Sequence, residues 1–155
     1  MGTQQILMIV LSVIVVGAAV AVGIMMFDNQ SRNQTRAAVL TDLLNFGINT
    51  QAYYRTPVLM GGAGNNTANL GENFFFFIND GTVENPILTP NGSYLFWNNQ
   101  FDPYVNITVT IPSMSQWTAA ARIFYDGRTI PAQGIDKGIW TYIGPGPVPT
   151  MPSGD

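Results

Sequence analysis

The chain contains no histidine and no cysteine. The first absence removes the commonest general base and metal ligand, and the second removes the thiol nucleophile and every disulfide. Many exported domains of this size carry a disulfide, so the lack of one leaves the redox compartment open. Charge is scarce: 10% of residues are Asp, Glu, Lys or Arg, against about 25% in ordinary soluble domains. The net charge of −3 speaks against a nucleic-acid partner, because no basic patch exists to displace counterions from phosphates. Proline is missing from the whole stretch before Pro57, and no charged residue precedes Asp28. At 155 residues there is room for one ordinary domain and an appendage.

What is present is unevenly placed. Ile6 to Phe27 is apolar apart from Ser12 and the glycines. At about 1.5 Å per residue such a helix spans about 33 Å, close to the roughly 30 Å hydrocarbon core of a bilayer. The run exceeds the usual length of a cleaved secretory signal, and no A-x-A site follows it. Its flanks are unusual: nothing basic precedes it, whereas Arg32 and Arg36 follow it. Read on charge alone, this would leave the bulk of the chain on the cytoplasmic side. The remainder is nonetheless rich in Asn, Thr, Gly and aromatics and poor in Lys, as exported domains often are. A short basic leader, cut off immediately before Met1, reconciles the two. Myristoylation of Gly2 needs Ser or Thr where the chain has Ile6, and is excluded.

The apolar run passes into DNQSRNQTRAAVLTDLLNFGINTQAYYR without a breaker. Leu40, Leu43, Leu44, Gly47, Ile48 and Ala52 recur there at helical spacing. One helix from about Thr3 to Tyr54 is expected, apolar all round in its first half and amphipathic in its second. From about Val58 the pattern changes. Gly61–Asn73 reads as a surface loop. Short β-rich runs follow at Phe74–Ile78, Ser93–Trp97, Tyr104–Ile111, Ala119–Tyr125 and Ile139–Ile143, punctuated by the hairpin dipeptides Asp80-Gly81, Asn91-Gly92 and Asp126-Gly127. Val105, Ile107, Val109 and Ile111 alternate, as on a strand with one buried face. The Pro/Gly-rich tail from Gly144 to Asp155 cannot make regular structure and should be an extended arm, either disordered or laid on a neighbour. The expected fold is α+β: residues 1–57 form the hydrophobic-to-amphipathic helix, packed against a small antiparallel β-sheet domain over residues 58–155.

Candidate chemistry is thin. The carboxylates Asp28, Asp42, Glu72, Asp80, Glu84, Asp102, Asp126, Asp136 and Asp155 show no spacing that marks a catalytic pair. Asn79–Glu84 faintly resembles a calcium loop but lacks its ligand spacing. No catalytic residue, cofactor or metal is therefore expected. Asn-x-Ser/Thr sequons at Asn29, Asn33, Asn65, Asn91 and Asn106 are candidate N-glycosylation sites. Phe74–Phe77 puts rings on both faces of a strand, either inside the domain or with one face on a neighbouring subunit.

The segment MGTQQILMIVLSVIVVGAAVAVG, followed by an amphipathic helix and a β-domain, resembles a type IV pilin over about the first 55 residues. The resemblance implies a chain processed by a leader peptidase and methylated at Met1. It implies a helix that anchors the subunit in the inner membrane and then bundles with its copies, through the pilus assembly machinery, in the core of an extracellular filament on the cell surface. The small residues Gly17, Ala18, Ala19, Ala21 and Gly23 would let backbones approach. Family members usually carry glutamate as the fifth mature residue, where it pairs with a neighbour's amine. Here Gln4 and Gln5 would set register by hydrogen bonding, at lower desolvation cost than a buried carboxylate. The mid-helix proline and the C-terminal disulfide loop of many bacterial pilins are absent. The expected function is that of a major pilin, a homopolymer serving adhesion or motility. The alternatives are a pseudopilin or minor pilin of a secretion system and a single-pass, membrane-anchored binding domain.

Overall fold

The computed structural model describes residues 2–70, 86–97 and 102–154. Met1 and Asp155, the Phe74–Ile78 run, the Asp80-Gly81 turn, Glu72 and Glu84 lie outside the described residues. The architecture is α+β, with one long N-terminal helix, α1 (Thr3–Arg55), and a five-stranded antiparallel sheet. Two compact units divide the chain, Met1–Arg36 and Ala37–Asp155, so the second unit begins inside the helix.

The sheet is a meander. Its strands β1 (Ile87–Thr89), β2 (Gly92–Trp97), β3 (Tyr104–Thr110), β4 (Trp117–Phe124) and β5 (Ile139–Pro145) lie in chain order. Tyr94 pairs with Val109, Val109 with Ala119 and Ala119 with Ile143. The period of two therefore lines up Val105, Ile107, Val109, Ala121, Ile123 and Ile139 on one face, all buried. β1 lies outside the β-rich runs read from sequence, because Pro86 and Pro90 bracket three residues too few to show a period. Thr89 Oγ1 accepts from Asn91 N at 3.2 Å and Gly92 N at 3.3 Å, closing the β1–β2 turn at the expected dipeptide. Asp126-Gly127 does not close a tight hairpin. The β4–β5 connection runs from Tyr125 to Gly138 and includes the short helical turn Pro131–Gln133.

The part of α1 that belongs to the second unit covers the inner face of the sheet. Its buried residues are Val39, Leu43, Gly47, Thr50 and Tyr53, which corrects the expected stripe: Leu44 (46% exposed) and Ile48 (60% exposed) face outward, and Ala52 is exposed. Gly47 lies on the buried stripe and faces Ile139. A Cβ there would lie 2.6 Å from Ile139 Cδ1, so the bare backbone is what lets the helix approach the sheet. Phe46 packs on Tyr94 and Phe96 with ring centroids 5.1 and 5.3 Å away. Thr50 is buried but returns its hydroxyl to Phe46 O at 2.7 Å, so its polarity is met within the helix. Gln51 Nε2 donates to Phe124 O at 3.1 Å and Lys137 O at 2.7 Å, tying the helix to both ends of the β4–β5 connection.

The outer face is covered along β4, by the tail itself. The chain turns at Gly146 and runs back over β4. Thr118 Oγ1 donates to Gly146 O at 2.5 Å, Arg122 Nη1 to Pro152 O at 2.7 Å, and Arg128 Nη1 to Gly154 O at 2.7 Å. Asn106, Ala120 and Phe124 point away from the helix and are nevertheless fully buried. In the single chain the tail lies back along β4. It is irregular chain held by side chains of its own sheet.

Candidate functional site

The surface that calls for an explanation is the first unit. Ile6 N donates to Gly2 O at 3.1 Å, and the helix then runs on with no break. Every large apolar side chain of the run is at least half exposed, from Val10 at 51% to Phe27 at 75%. The helix is long and apolar enough to cross a membrane. A helix apolar all round is stable only where something apolar surrounds it. Ser12, the one hydroxyl between Ile6 and Phe27, donates to Ile9 O at 2.8 Å, so even that polar group needs no water.

The small residues fall into two pairs. On a helix of about 100° per residue, Gly17 and Ala21 sit about 40° apart, as do Ala19 and Gly23, and the second pair lies about 200° round from the first. A Cβ added at Gly17 or Gly23 meets nothing within 4 Å. These are open flats on opposite sides of the helix, each with the small-xxx-small spacing that permits close approach of another helix. Ala18 lies between the two. Gln4 and Gln5 are exposed in the first turn, and Met1 lies outside the described residues.

The run ends at Asp28, whose carboxylate pairs with Arg32 Nη2 at 3.0 Å. Both side chains are more than half exposed, so the pair contributes little to stability; it marks where the helix becomes polar. In the second unit, Leu44, Ile48 and Ala52 form an exposed apolar row at four-residue spacing.

The sequon asparagines do not form one site. Asn29 and Asn33 are exposed one turn apart on α1. Asn65 is exposed, with φ 60°, and its carbonyl accepts from Tyr54 Oη at 2.8 Å. Asn91 is half-buried and its Nδ2 donates to Asp42 Oδ2 at 2.8 Å. Asn106 is fully buried: its Oδ1 accepts from Arg122 Nε at 2.8 Å, and its Nδ2 is enclosed without a hydrogen-bond partner. A glycan on Asn106 does not fit the folded domain, which corrects its candidacy. A sequon is a local pattern, and the even-numbered position on β3 that buries this one is visible only once the tail is in place.

Asp42 is the polar fastener that sequence reading missed. Its Oδ2 accepts from Tyr94 Oη at 2.8 Å as well as from Asn91. Burial, reinforced by the bond to Asp42 and its charge, pushes the Tyr94 hydroxyl well above its ordinary value. At Asp126, burial raises the carboxyl, but the hydrogen bonds and charge of Arg128 outweigh it and hold the group below the usual carboxylate range. Among the described residues no group of three or more carboxylates stands close enough to hold a metal ion. No family model, curated protein or solved structure matches the chain.

Proposed function

We propose that the chain is the structural subunit, a major pilin, of an extracellular type IV pilus-like filament built by helix bundling. The observation that supports this reading is the helix from Ile6 to Phe27, apolar all round and exposed within its own unit. Large apolar side chains contribute about 1.5–3 kcal/mol each when taken out of water. A run of this length is therefore covered in any stable state, first by lipid and then by copies of itself. Two flats on opposite sides of the helix suit a bundle, in which each helix meets neighbours on more than one side, better than a simple dimer. The exposed Leu44–Ile48–Ala52 row lengthens the surface available to those neighbours. The compact second unit would then form the outer sleeve, and Gln4 and Gln5 would set register by hydrogen bonds. Leader cleavage and methylation at Met1, passage through the inner membrane and use in adhesion or motility belong to the same proposal.

The uncovered helix is equally compatible with a single-pass anchor satisfied by lipid alone, or with a short pseudopilus. Electron cryo-microscopy of filaments sheared from the source cells separates these. The filament reading expects α1 in the core and the β-units outside, with density at the N-terminal amine reporting processing. Finding the chain only as a monomer in detergent extracts of membranes, in no fibre, would overturn it in favour of the anchored module.

A further inference from the structure

The tail over β4 has the properties of a detachable ligand. Gly146 N donates to Gln116 O at 3.1 Å; beyond it, no described residue from Pro147 to Gly154 takes part in a main-chain to main-chain hydrogen bond. The strap is held instead by three side chains reaching from the sheet and the β4–β5 connection: Arg122 to Pro152 O, Arg128 to Gly154 O, and Gln133 Oε1, which accepts from Gly154 N at 3.1 Å. Arg122 is itself fixed, lying 3.9 Å over the Tyr104 ring and bonded to Asn106. The end of the groove accepts glycine only, on two grounds. Gly154 has φ 82°, and a Cβ there falls inside contact distance of the Phe124 ring. The groove fits an extended segment that presents two carbonyls and a glycine.

The return of the strap onto its own sheet depends on one residue. Gly146 has φ 89°, and Pro145, Pro147 and Pro149 flank it. Proline fixes φ near −65° and favours straight, extended chain. The prolines therefore favour a strap that continues outward, and only the glycine's turn brings it back. We propose that the groove along β4 takes residues 147–154 of a second copy when chains lie side by side, so that assembled subunits exchange straps. Every contact of Pro152 and Gly154 named above is kept in the exchanged form; only Gly146, with its bonds to Gln116 and Thr118, changes. Swapping an identical element is a low-cost route to association, and it is favoured further by the high local concentration inside an assembly. The proposal rests on the filament reading for that concentration.

The absence of cysteine makes the test clean. One chain carries Ala132→Cys, beside Gln133, and another carries Ser153→Cys, beside Gly154; both positions are exposed. The two are co-expressed and treated with a flexible bismaleimide in sheared filaments. Exchange gives covalent heterodimers, and a doubly substituted chain gives ladders. Gly146→Val, which disfavours the turn, should shift the ratio of interchain to intrachain links by about tenfold toward exchange. Gly154→Val empties the groove and should abolish both links, which excludes mere proximity. Filaments in which the double variant links only within each chain, and the mixed pair gives no heterodimer, overturn the exchange while leaving the filament reading intact. If no filament forms, the filament reading fails. The same pair is then linked in concentrated detergent extract, where heterodimers support exchange and their absence overturns it.

Discussion

Tyr94 shows how one side chain joins two elements of the second unit. It is fully buried on β2 and donates to Asp42 on α1. A hydrogen bond to a charged partner contributes about 1.5–3 kcal/mol, so Tyr94→Phe should lower stability by about 2 kcal/mol in denaturant unfolding. Because the folded hydroxyl titrates above its ordinary value, this contribution is intact below that value and is lost only as pH rises through the higher folded one. Gly138 is a second such residue. Its φ is 80°, and a Cβ would lie 2.7 Å from both Gly127 Cα and Phe124 O, backbone atoms that cannot swing away. Gly138→Ala should therefore cost about 3 kcal/mol, from left-handed strain and crowding together. Gly47 differs, since its obstacle is the tip of the Ile139 side chain. Neither Tyr94 nor Gly138 was marked in the sequence, because Asp42 and Phe124 O come close to them only through the fold.

At the scale of elements, α1 and the alternating strand β3 were legible in the sequence. A long unbroken period and a clean alternation survive without knowledge of their partners. The face of α1 was not legible in the same way. Leu44 and Ile48 matched the helical period as well as Leu43 and Gly47 did, and the choice between them was made by which side of the helix meets the strands. The strap was illegible for a related reason: Pro/Gly-rich chain has no period, and its contacts come from arginines distant in sequence. One of those arginines gives the strap a pH dependence. The carboxyl of Asp126 lies below its ordinary range in the folded state and bonds Arg128 at 2.7 Å, and Arg128 holds Gly154 O. The stabilisation is present above the ordinary carboxylate value and lost as pH falls through the lower folded one. Thermal midpoints of the wild type and Asp126→Asn should differ at neutral pH, and the difference should close on acidification below the ordinary carboxylate range.

At the scale of the whole molecule, the two units demand opposite surroundings. The second unit buries its own core between the helix and the sheet, so a fragment starting at Ala37 should fold by itself, with one cooperative transition in thermal unfolding. The first unit has no core and depends on what surrounds it. A charge at the centre of such a helix costs about 2.5–3.5 kcal/mol on membrane insertion. Val15→Asp should accordingly shift the chain out of membranes and sheared filaments, scored as the fraction sedimenting with each, while the melting of the second unit stays unchanged.

The sequence by itself determined that the chain begins with an uncharged helix needing apolar cover, that this helix turns amphipathic, and that strands follow it. Those properties reside in runs of neighbouring residues and need no partner to be read. Only the tertiary structure decided which stripe of the helix faces the sheet, that Asn106 is closed to a glycan, and that the tail lies along β4 in a groove ending in a glycine-only socket. Each of these depends on residues far apart in the chain meeting at contact distance, where a missing Cβ or a single buried carbonyl sets the outcome.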